Sequence, residues 1–331
     1  MAESGSSLSA LDQLKQYTTV VADTGDVNAI AQYKPKDATT NPSLILKAAA
    51  MPEYAHLFDE AILYGTQHGK SQDQQVEFAF ERLYILFGKE ILKHIPGRVS
   101  IEVDPRYSFC SEDTIDAAEE FISAFEEEGI NRERILIKVA STWQGMSAIK
   151  YLENQGIHTN ATLIFSYAQA LAAAQAGATL ISPFVGRITD WYKKSKGVAG
   201  FDPEEDPGVL SVRQIYNLFK KYGYNTEVMG ASFRSSAQVL ALAGCDLLTI
   251  SPEYLNELQG MEKEVPRVLS VENAGSSDVS LSSEELALGR ALFDWIMCQD
   301  AMATDLLADG IRKFNKDARN LEDLIKKRMA A

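Results

Sequence analysis

Short apolar runs rich in β-branched residues alternate with stretches of helical periodicity from one end of this 331-residue chain to the other. Eight runs read as strands: Thr19 to Asp23, Ala38 to Asn41, Val99 to Val103, Ile135 to Ala140, Thr159 to Ile164, Leu180 to Val185, Glu227 to Ala231 and Leu247 to Ser251. Between them apolar residues recur at helical spacing, as at Ala79, Leu83, Leu86 and Phe87, or at Ile115, Ala118, Ile122 and Phe125. Strict alternation favours a parallel sheet, and eight β-α units favour closure into an (α/β)8 TIM-type barrel. The rival, an open doubly wound sheet, normally announces itself with a Gly-rich phosphate turn after an early strand. Neither GxGxxG nor GxxxxGK followed by Ser or Thr occurs.

Two regions depart from the alternation and read as decoration of one barrel. Lys193 to Pro207, with Gly197, Gly200, Pro203 and Pro207, is expected to form a long loop after the sixth strand, either a cover for a site or a solvated excursion. Ser282-Ser283-Glu284-Glu285 resembles a helix start, after a polar loop at Ser276 to Ser283. From Leu286 to Met329 the pattern is helical, with an interruption expected near Asp300 or Gly310. Glu126-Glu127-Glu128 reads as a solvated helix end. The expectation is a single domain over 1–331 with C-terminal helices, about 284–329, packed on the barrel or against a partner. An apolar helix face serves either purpose.

Within this pattern Lys138 is out of place. It lies inside Ile135-Leu136-Ile137-Lys138-Val139-Ala140, an otherwise apolar run bounded by Arg132-Glu133-Arg134 and Ser141-Thr142. A lysine in a buried strand must snorkel, find a partner or lose its proton. The last option creates a nucleophile: an ordinary lysine is only about 0.04% neutral at pH 7, and desolvation favours the free amine that attacks a ketone. Schiff-base chemistry is one reading and an ion pair with a buried carboxylate is the other. Glu102 sits in the same way between Ile101 and Val103 on the preceding strand, and so serves both readings. It can neutralise Lys138, or act as an acid/base beside it.

Composition narrows the setting. A hydrophobic fraction of 46% suffices for a large core; length alone suggests two domains, though one barrel of this size is equally ordinary. A net charge of −14 argues against nucleic acid or an anionic membrane as partner, while leaving room for local positive pockets. Cys110, Cys245 and Cys298 have no spacing that suggests a metal cage or a disulfide framework, and fit a reducing compartment. Met1 to Leu14 has no apolar core of the kind a targeting segment needs, and no run approaches the ~18 apolar residues of a membrane span. A cytoplasmic enzyme is the expectation.

In a barrel of this kind, chemistry gathers at the C-terminal strand ends. The polar residues there are Asp23, Asn41, Glu102, Lys138, Asn160, Thr162 and Ser182, with Ser232 and Arg234 just past the seventh strand. Plain structural roles compete: Asp23 before Thr24-Gly25-Asp26 can make a turn, and Asn41 before Pro42 can cap a helix.

Two segments resemble the signatures of the transaldolase family: Asp37-Ala38-Thr39-Thr40-Asn41-Pro42-Ser43-Leu44-Ile45 and Ile135 through Gly145. The resemblance continues through Val20 to Asp26, Thr159 to Ser166, Ile181 to Arg187 and Met229 to Arg234, and covers essentially the whole chain. It implies a class I enzyme of the pentose phosphate pathway that moves a dihydroxyacetone unit from sedoheptulose 7-phosphate to glyceraldehyde 3-phosphate. No metal or cofactor is implied, the lysine itself being the electron sink. By the same resemblance Lys138 forms the Schiff base, Asp23 is the general acid/base, and Glu102 shuttles protons with Thr162 helping to hold a water. Asn41, Asn160 and Ser182 would bind the dihydroxyacetone hydroxyls, and Arg187, Ser232 and Arg234 the phosphate. Members of this length are often homodimers.

The alternatives are a fructose-6-phosphate-type aldolase and a catalytically silent sugar-phosphate-binding barrel. Phe184 and Glu102 favour transfer over aldolysis, since a phenyl ring offers no hydroxyl to orient a hydrolytic water where tyrosine would. Phe184→Tyr is therefore expected to raise the ratio of free dihydroxyacetone release to transfer, and an unchanged ratio would remove Phe184 from the explanation. A silent barrel is expected to lack Lys138, Asp23 or Glu102, and all three are present.

Overall fold

The structure, a computed structural model, describes residues 8–330. Residues 1–7, part of the N-terminal stretch read as carrying no targeting segment, lie outside the described residues. Eight parallel strands close into a barrel in chain order: β1 Thr19–Asp23, β2 Asp37–Thr39, β3 Val99–Glu102, β4 Ile135–Ala140, β5 Thr159–Ile164, β6 Leu180–Pro183, β7 Glu227–Gly230 and β8 Leu247–Ile250. β1 pairs with β8 to complete the ring. Every expected strand is present and β1, β4 and β5 have the expected limits; the other five stop one or two residues sooner. Asn41 leaves β2 because its side chain caps the helix Pro42–Ala49, and Val185 is the first residue of the helix Val185–Lys196, not the last of a strand.

Strand residues alternate between two environments. Outward-facing residues such as Val99, Ile101, Ile135, Ile137 and Val139 join the core shared with the helices. Inward-facing Val21, Leu136, Leu180, Met229 and Leu247 form a separate apolar cluster that fills the barrel. Two residues further along, the same inward rows carry Asp23, Lys138, Ser182 and Thr249 in place of apolar side chains. Register aligns Glu102 of β3 with Lys138 of β4 and Lys138 with Asn160 of β5, so a polar layer lies above the apolar plug on the C-terminal side.

The expected 193–207 loop is shorter than its sequence suggests. Lys193, Lys194 and Lys196 belong to the last turn of the helix Val185–Lys196, where cations complement the negative helix end. Gly197 closes that helix with left-handed backbone at φ 67°. Asp206 caps the next helix, Pro207–Tyr222, in which Pro207 is the first residue. Glu128 also differs from expectation: it is ion-paired with Arg82 at 2.6 Å and with Lys89, because the neighbouring helix Gln72–Leu92 presents both cations to it.

At the C-terminal end, Ser282 to Glu285 leads only into a short 3-10 turn, Glu285–Ala287, followed by the helices Arg290–Gln299 and Ala301–Met329. The interruption falls at Asp300, whose side chain accepts a hydrogen bond from the Ala303 N–H at 2.9 Å. Gly310 does not break the last helix. A Cβ there would lie 2.7 Å from Leu163 Cδ2, so the glycine lets the helix settle against the barrel mouth. Ser43 hydrogen-bonds Asp317, and Arg319 pairs with Asp104, tying the same helix to the start of the helix Pro42–Ala49 and to the loop after β3.

Candidate active site

Inside the mouth lies a cavity of about 100 Å³ lined by residues that include Asp23, Asn41, Lys138, Ser182, Phe184, Arg187 and Ser232. Lys138 forms part of its wall, only 4% exposed. Its Nζ donates to the Thr40 carbonyl at 2.9 Å and lies 3.3 Å from Glu102 Oε2. The carboxylate contact is one of charge, without hydrogen-bond alignment. Glu102 Oε2 and Thr162 Oγ1 are both buried oxygens that no protein hydrogen bond reaches among the described residues. The ion pair anticipated from the two strands is thus present, and it stands beside the cavity.

Asp23 ends β1 and accepts a hydrogen bond from Thr39 Oγ1 at 3.0 Å; Thr39 Oγ1 in turn lies 2.7 Å from Thr249 Oγ1. Burial pushes the Asp23 carboxyl above its ordinary value, while Lys138, then Thr39 and Arg187, pull it back. The Glu102 carboxyl is raised for the same first reason, again against the pull of Lys138 and Arg187. The wall therefore holds the Lys138 amine and the Asp23 carboxyl, with the Glu102 carboxyl directly behind it, and desolvation strengthens the preference of both acids for the proton.

Behind it, Ser182 Oγ donates to Asn160 Oδ1 at 2.6 Å and Asn160 Nδ2 donates to Ser100 Oγ at 3.1 Å, which fixes the amide orientation. Asn41 accepts from the Leu44 N–H at 3.0 Å, so it caps a helix and lines the cavity at once. Glu102, Asn160 and Thr162 stand one layer behind the cavity wall, and Arg234 lies outside the lining residues, its Nη1 3.3 Å from Ser232 Oγ.

A second cation, Arg187, also lines the cavity. Arg187 lies between two rings, 4.9 Å from the Phe184 centroid and 5.2 Å from that of Phe314. Its Nη1 is buried and bonded to no protein acceptor among the described residues. Burial, and then the nearby Arg234 guanidinium, hold Arg187 below its ordinary value. Arg234 is half-exposed and pairs through Nε with Asp190 Oδ2 at 2.9 Å. Two like charges, one with an unused donor, make a site that favours an anion with several acceptor oxygens.

Sequence reasoning missed Thr39, Thr249, Met229, Ala231 and Phe314, which also line the cavity. Thr249 stands two residues after inward-facing Leu247 and Thr39 two after Asp37 on β2, but a threonine in a strand carries no mark of a site. Phe314 carries no mark either, being one apolar position on an amphipathic helix. It lines the cavity where no residue of Lys193 to Pro207 does, so of the two readings of that segment, a cover or a solvated excursion, the first finds no support in the cavity lining.

Larger hollows lack this chemistry. One of about 710 Å³ opens at the opposite end of the barrel around Lys15, Lys34, Lys36, Lys220 and Arg267. There the cations serve helix C-termini and a carboxylate: Lys15 Nζ donates to the Tyr33 carbonyl at 3.1 Å and Lys220 pairs with Asp246 at 2.8 Å.

The sequence model of the transaldolase/fructose-6-phosphate aldolase family matches residues 20–325. The transaldolase of Homo sapiens is 56% identical over 323 residues, covering 97% of this chain and 94% of the relative. That of Saccharomyces cerevisiae is 53% identical over 327 residues, covering 97% and 96%, and that of a Marinomonas species is 51% identical over 316, covering 96% and 98%. With a closed eight-stranded barrel, a lysine and two carboxyl groups at its mouth and this similarity along nearly its full length, the chain belongs to the transaldolase/fructose-6-phosphate aldolase family.

Proposed function

We propose that this enzyme, a transferase with transaldolase activity, moves a dihydroxyacetone unit from sedoheptulose 7-phosphate to glyceraldehyde 3-phosphate, giving erythrose 4-phosphate and fructose 6-phosphate. One observation carries the assignment of roles: Lys138 Nζ stands at the cavity wall, 3.3 Å from Glu102, and Asp23 and Arg187 line the same cavity. Lys138 gives a proton to Glu102 and adds to the C2 carbonyl of the ketose phosphate. Glu102 returns the proton to the carbinolamine oxygen, water leaves, and an iminium remains. Asp23 removes the C4 hydroxyl proton, the C3–C4 bond breaks, and its electron pair moves into the iminium to form an enamine. The aldose phosphate departs; the enamine carbon attacks the second aldehyde; Asp23 protonates the new alkoxide, and water releases the product from Lys138.

The buried positions of Glu102 and Thr162 support a role for this pair in handling water, because both oxygens are free to bond it. Asn41, Asn160 and Ser182 are suited to hold the retained hydroxyls, and Arg187, Ser232 and Arg234 the phosphate. In the same reading 1–331 is one domain acting in the pentose phosphate pathway. It works in the cytoplasm, which suits three free cysteines and the absence, among the described residues, of a helix long and apolar enough to cross a membrane. It pairs as a homodimer, for which a mass near that of one chain by light scattering would be the contrary result.

Borohydride reduction in the presence of fructose 6-phosphate, followed by peptide mass spectrometry, tests the chemistry. A three-carbon adduct on Lys138 alone is expected, with transfer to an added aldehyde acceptor. Absence of the adduct, or its presence on another lysine, would overturn the assignment.

A further inference from the structure

Behind the two arginines, away from the cavity, three buried side chains from separate segments form a closed polar network. Gln238, in the short helix Ser236–Leu240, accepts the Arg234 backbone N–H on Oε1 at 2.7 Å. Its Nε2 donates to Asp206 Oδ2 at 2.8 Å and to Thr189 Oγ1 at 3.0 Å, so both of its amide hydrogens have acceptors. Thr189 Oγ1 lies 2.7 Å from Asp206 Oδ1 and 3.0 Å from the Val185 carbonyl, linking the network to the helix that bears Arg187. Asp206 Oδ1 also accepts the Gly208 and Val209 N–H groups at the start of the next helix. None of the three lines the cavity.

What this network holds is a strained turn. Ser232 has φ 60°, a left-handed conformation that a non-glycine residue keeps only when its surroundings enforce it. The turn is fixed at one end by the helix that bears Arg187, where Val185 N–H donates to the Ala231 carbonyl at 2.9 Å and Gly186 N–H to the Ser232 carbonyl at 2.8 Å. Gln238 fixes the other end through the Arg234 N–H. The spacing of the two guanidiniums thus depends on a residue that touches neither the cavity nor the reacting atoms.

We propose that Gln238, supported by Thr189 and Asp206, is a positioning residue for the phosphate clamp and so sets the preference for phosphorylated over unphosphorylated acceptors. This rests on the reading of Arg187, Ser232 and Arg234 as the phosphate site. Gln238→Met keeps the side chain's length and leaves the Arg234 N–H and Asp206 Oδ2 without their partner, freeing the turn. Lys138, Glu102 and Asp23 are untouched.

The test compares erythrose 4-phosphate with erythrose as acceptor, at saturating fructose 6-phosphate, in folded protein checked by circular dichroism. Release of glyceraldehyde 3-phosphate reports both reactions. In Gln238→Met, kcat/KM for erythrose 4-phosphate falls about tenfold while that for erythrose stays within about twofold. Arg234→Gln, as the control, lowers the same ratio further. If the control lowers the ratio and Gln238→Met does not, or if both acceptors suffer equally in Gln238→Met, the inference is overturned and the phosphate reading stands. If Arg234→Gln itself fails to discriminate, the phosphate reading falls and the inference with it. Should Gln238→Met not fold, Thr189→Val deletes one hydroxyl from the network at similar volume. Its ratio falls about threefold on the proposal, and an unchanged ratio overturns it.

Discussion

Asp23 and Glu102 inside the barrel and Glu81 on its outer wall are all carboxyl groups that burial pushes above the ordinary value, yet the charges around them have opposite signs. In the barrel, Lys138 and Arg187 oppose the desolvation. Around Glu81, on the helix Gln72–Leu92, the neighbours are Glu120, Glu77 and Asp104, and they add to it, carrying the carboxyl to about 7. A raised carboxyl therefore marks burial and does not by itself mark a site. What distinguishes the barrel interior is opposition: the cost of burying the charge is set against nearby cations, so the proton's position responds to any change in either. On the proposed roles, substrate arriving beside Lys138 and Arg187 is such a change. At Glu81 nothing opposes protonation, and the group is a stability feature of the wall.

The sharpest way to break this contrast is to remove the cation. Lys138→Met is expected to lower transfer on the order of 10⁴-fold or more and to abolish borohydride trapping, while the fold survives because Glu102, raised by burial, can take up a proton once Lys138 no longer opposes it. Residual trapping on Lys138→Met would show that another lysine is the nucleophile. One step smaller, Asp23→Asn and Glu102→Gln should each lower kcat by about 10²- to 10⁴-fold, with different signatures. Single-turnover measurements should show trapped adduct accumulating at a near-normal rate in Asp23→Asn, since its proposed role follows iminium formation. In Glu102→Gln the adduct itself should form slowly. The reverse pattern would exchange the two roles.

These residues were also the ones most legible in the sequence, for a physical reason. A charged residue in an apolar strand has no inexpensive explanation, so Lys138 and Glu102 stand out from a single chain. The strands were legible to within two residues because both of their faces are buried, so each reads as a short apolar, β-branched run between polar flanks. Thr39 and Thr249 were not legible, since threonine suits any strand and its hydroxyl leaves no trace in the apolar pattern. Phe314 was invisible because an amphipathic helix presents many apolar positions and only tertiary packing decides which one meets the cavity. Lys193 to Lys196 were misplaced because a helix end rich in lysine looks like a solvated loop until Gly197 is seen to close it.

The pH dependence of kcat compares the opposing effects directly. In the mechanism proposed above, Asp23 must be ionised to take the C4 hydroxyl proton. Because Asp23 is raised in the folded protein, that ionised form is lost on acidification at a higher pH than for an ordinary carboxyl near 3.8. The acid limb of kcat is therefore expected above that value. A limb at or below it would mean that Lys138 and Arg187 outweigh burial, and the distinction from Glu81 would then be larger still.

The smallest effect is expected at Glu81, in stability alone. Its carboxyl is near 4.5 in the unfolded chain and about 7 in the fold, so between those values the folded protein holds a proton that the unfolded chain has released. Stability therefore falls as pH rises through that window, and the whole penalty is present above pH 7. Glu81→Gln does not titrate and should escape it: relative to the parent it gains about 1–3 kcal/mol at pH 8 and little at pH 4.5, with kcat unchanged at both. Urea denaturation at the two pH values measures the difference. An equal gain at both would mean that the introduced amide merely packs better, and the acidic surroundings of Glu77, Glu120 and Asp104 would have no part in it. A fall in kcat would join the outer wall to the reaction, and the division between opposed and unopposed carboxyls would no longer separate site from scaffold.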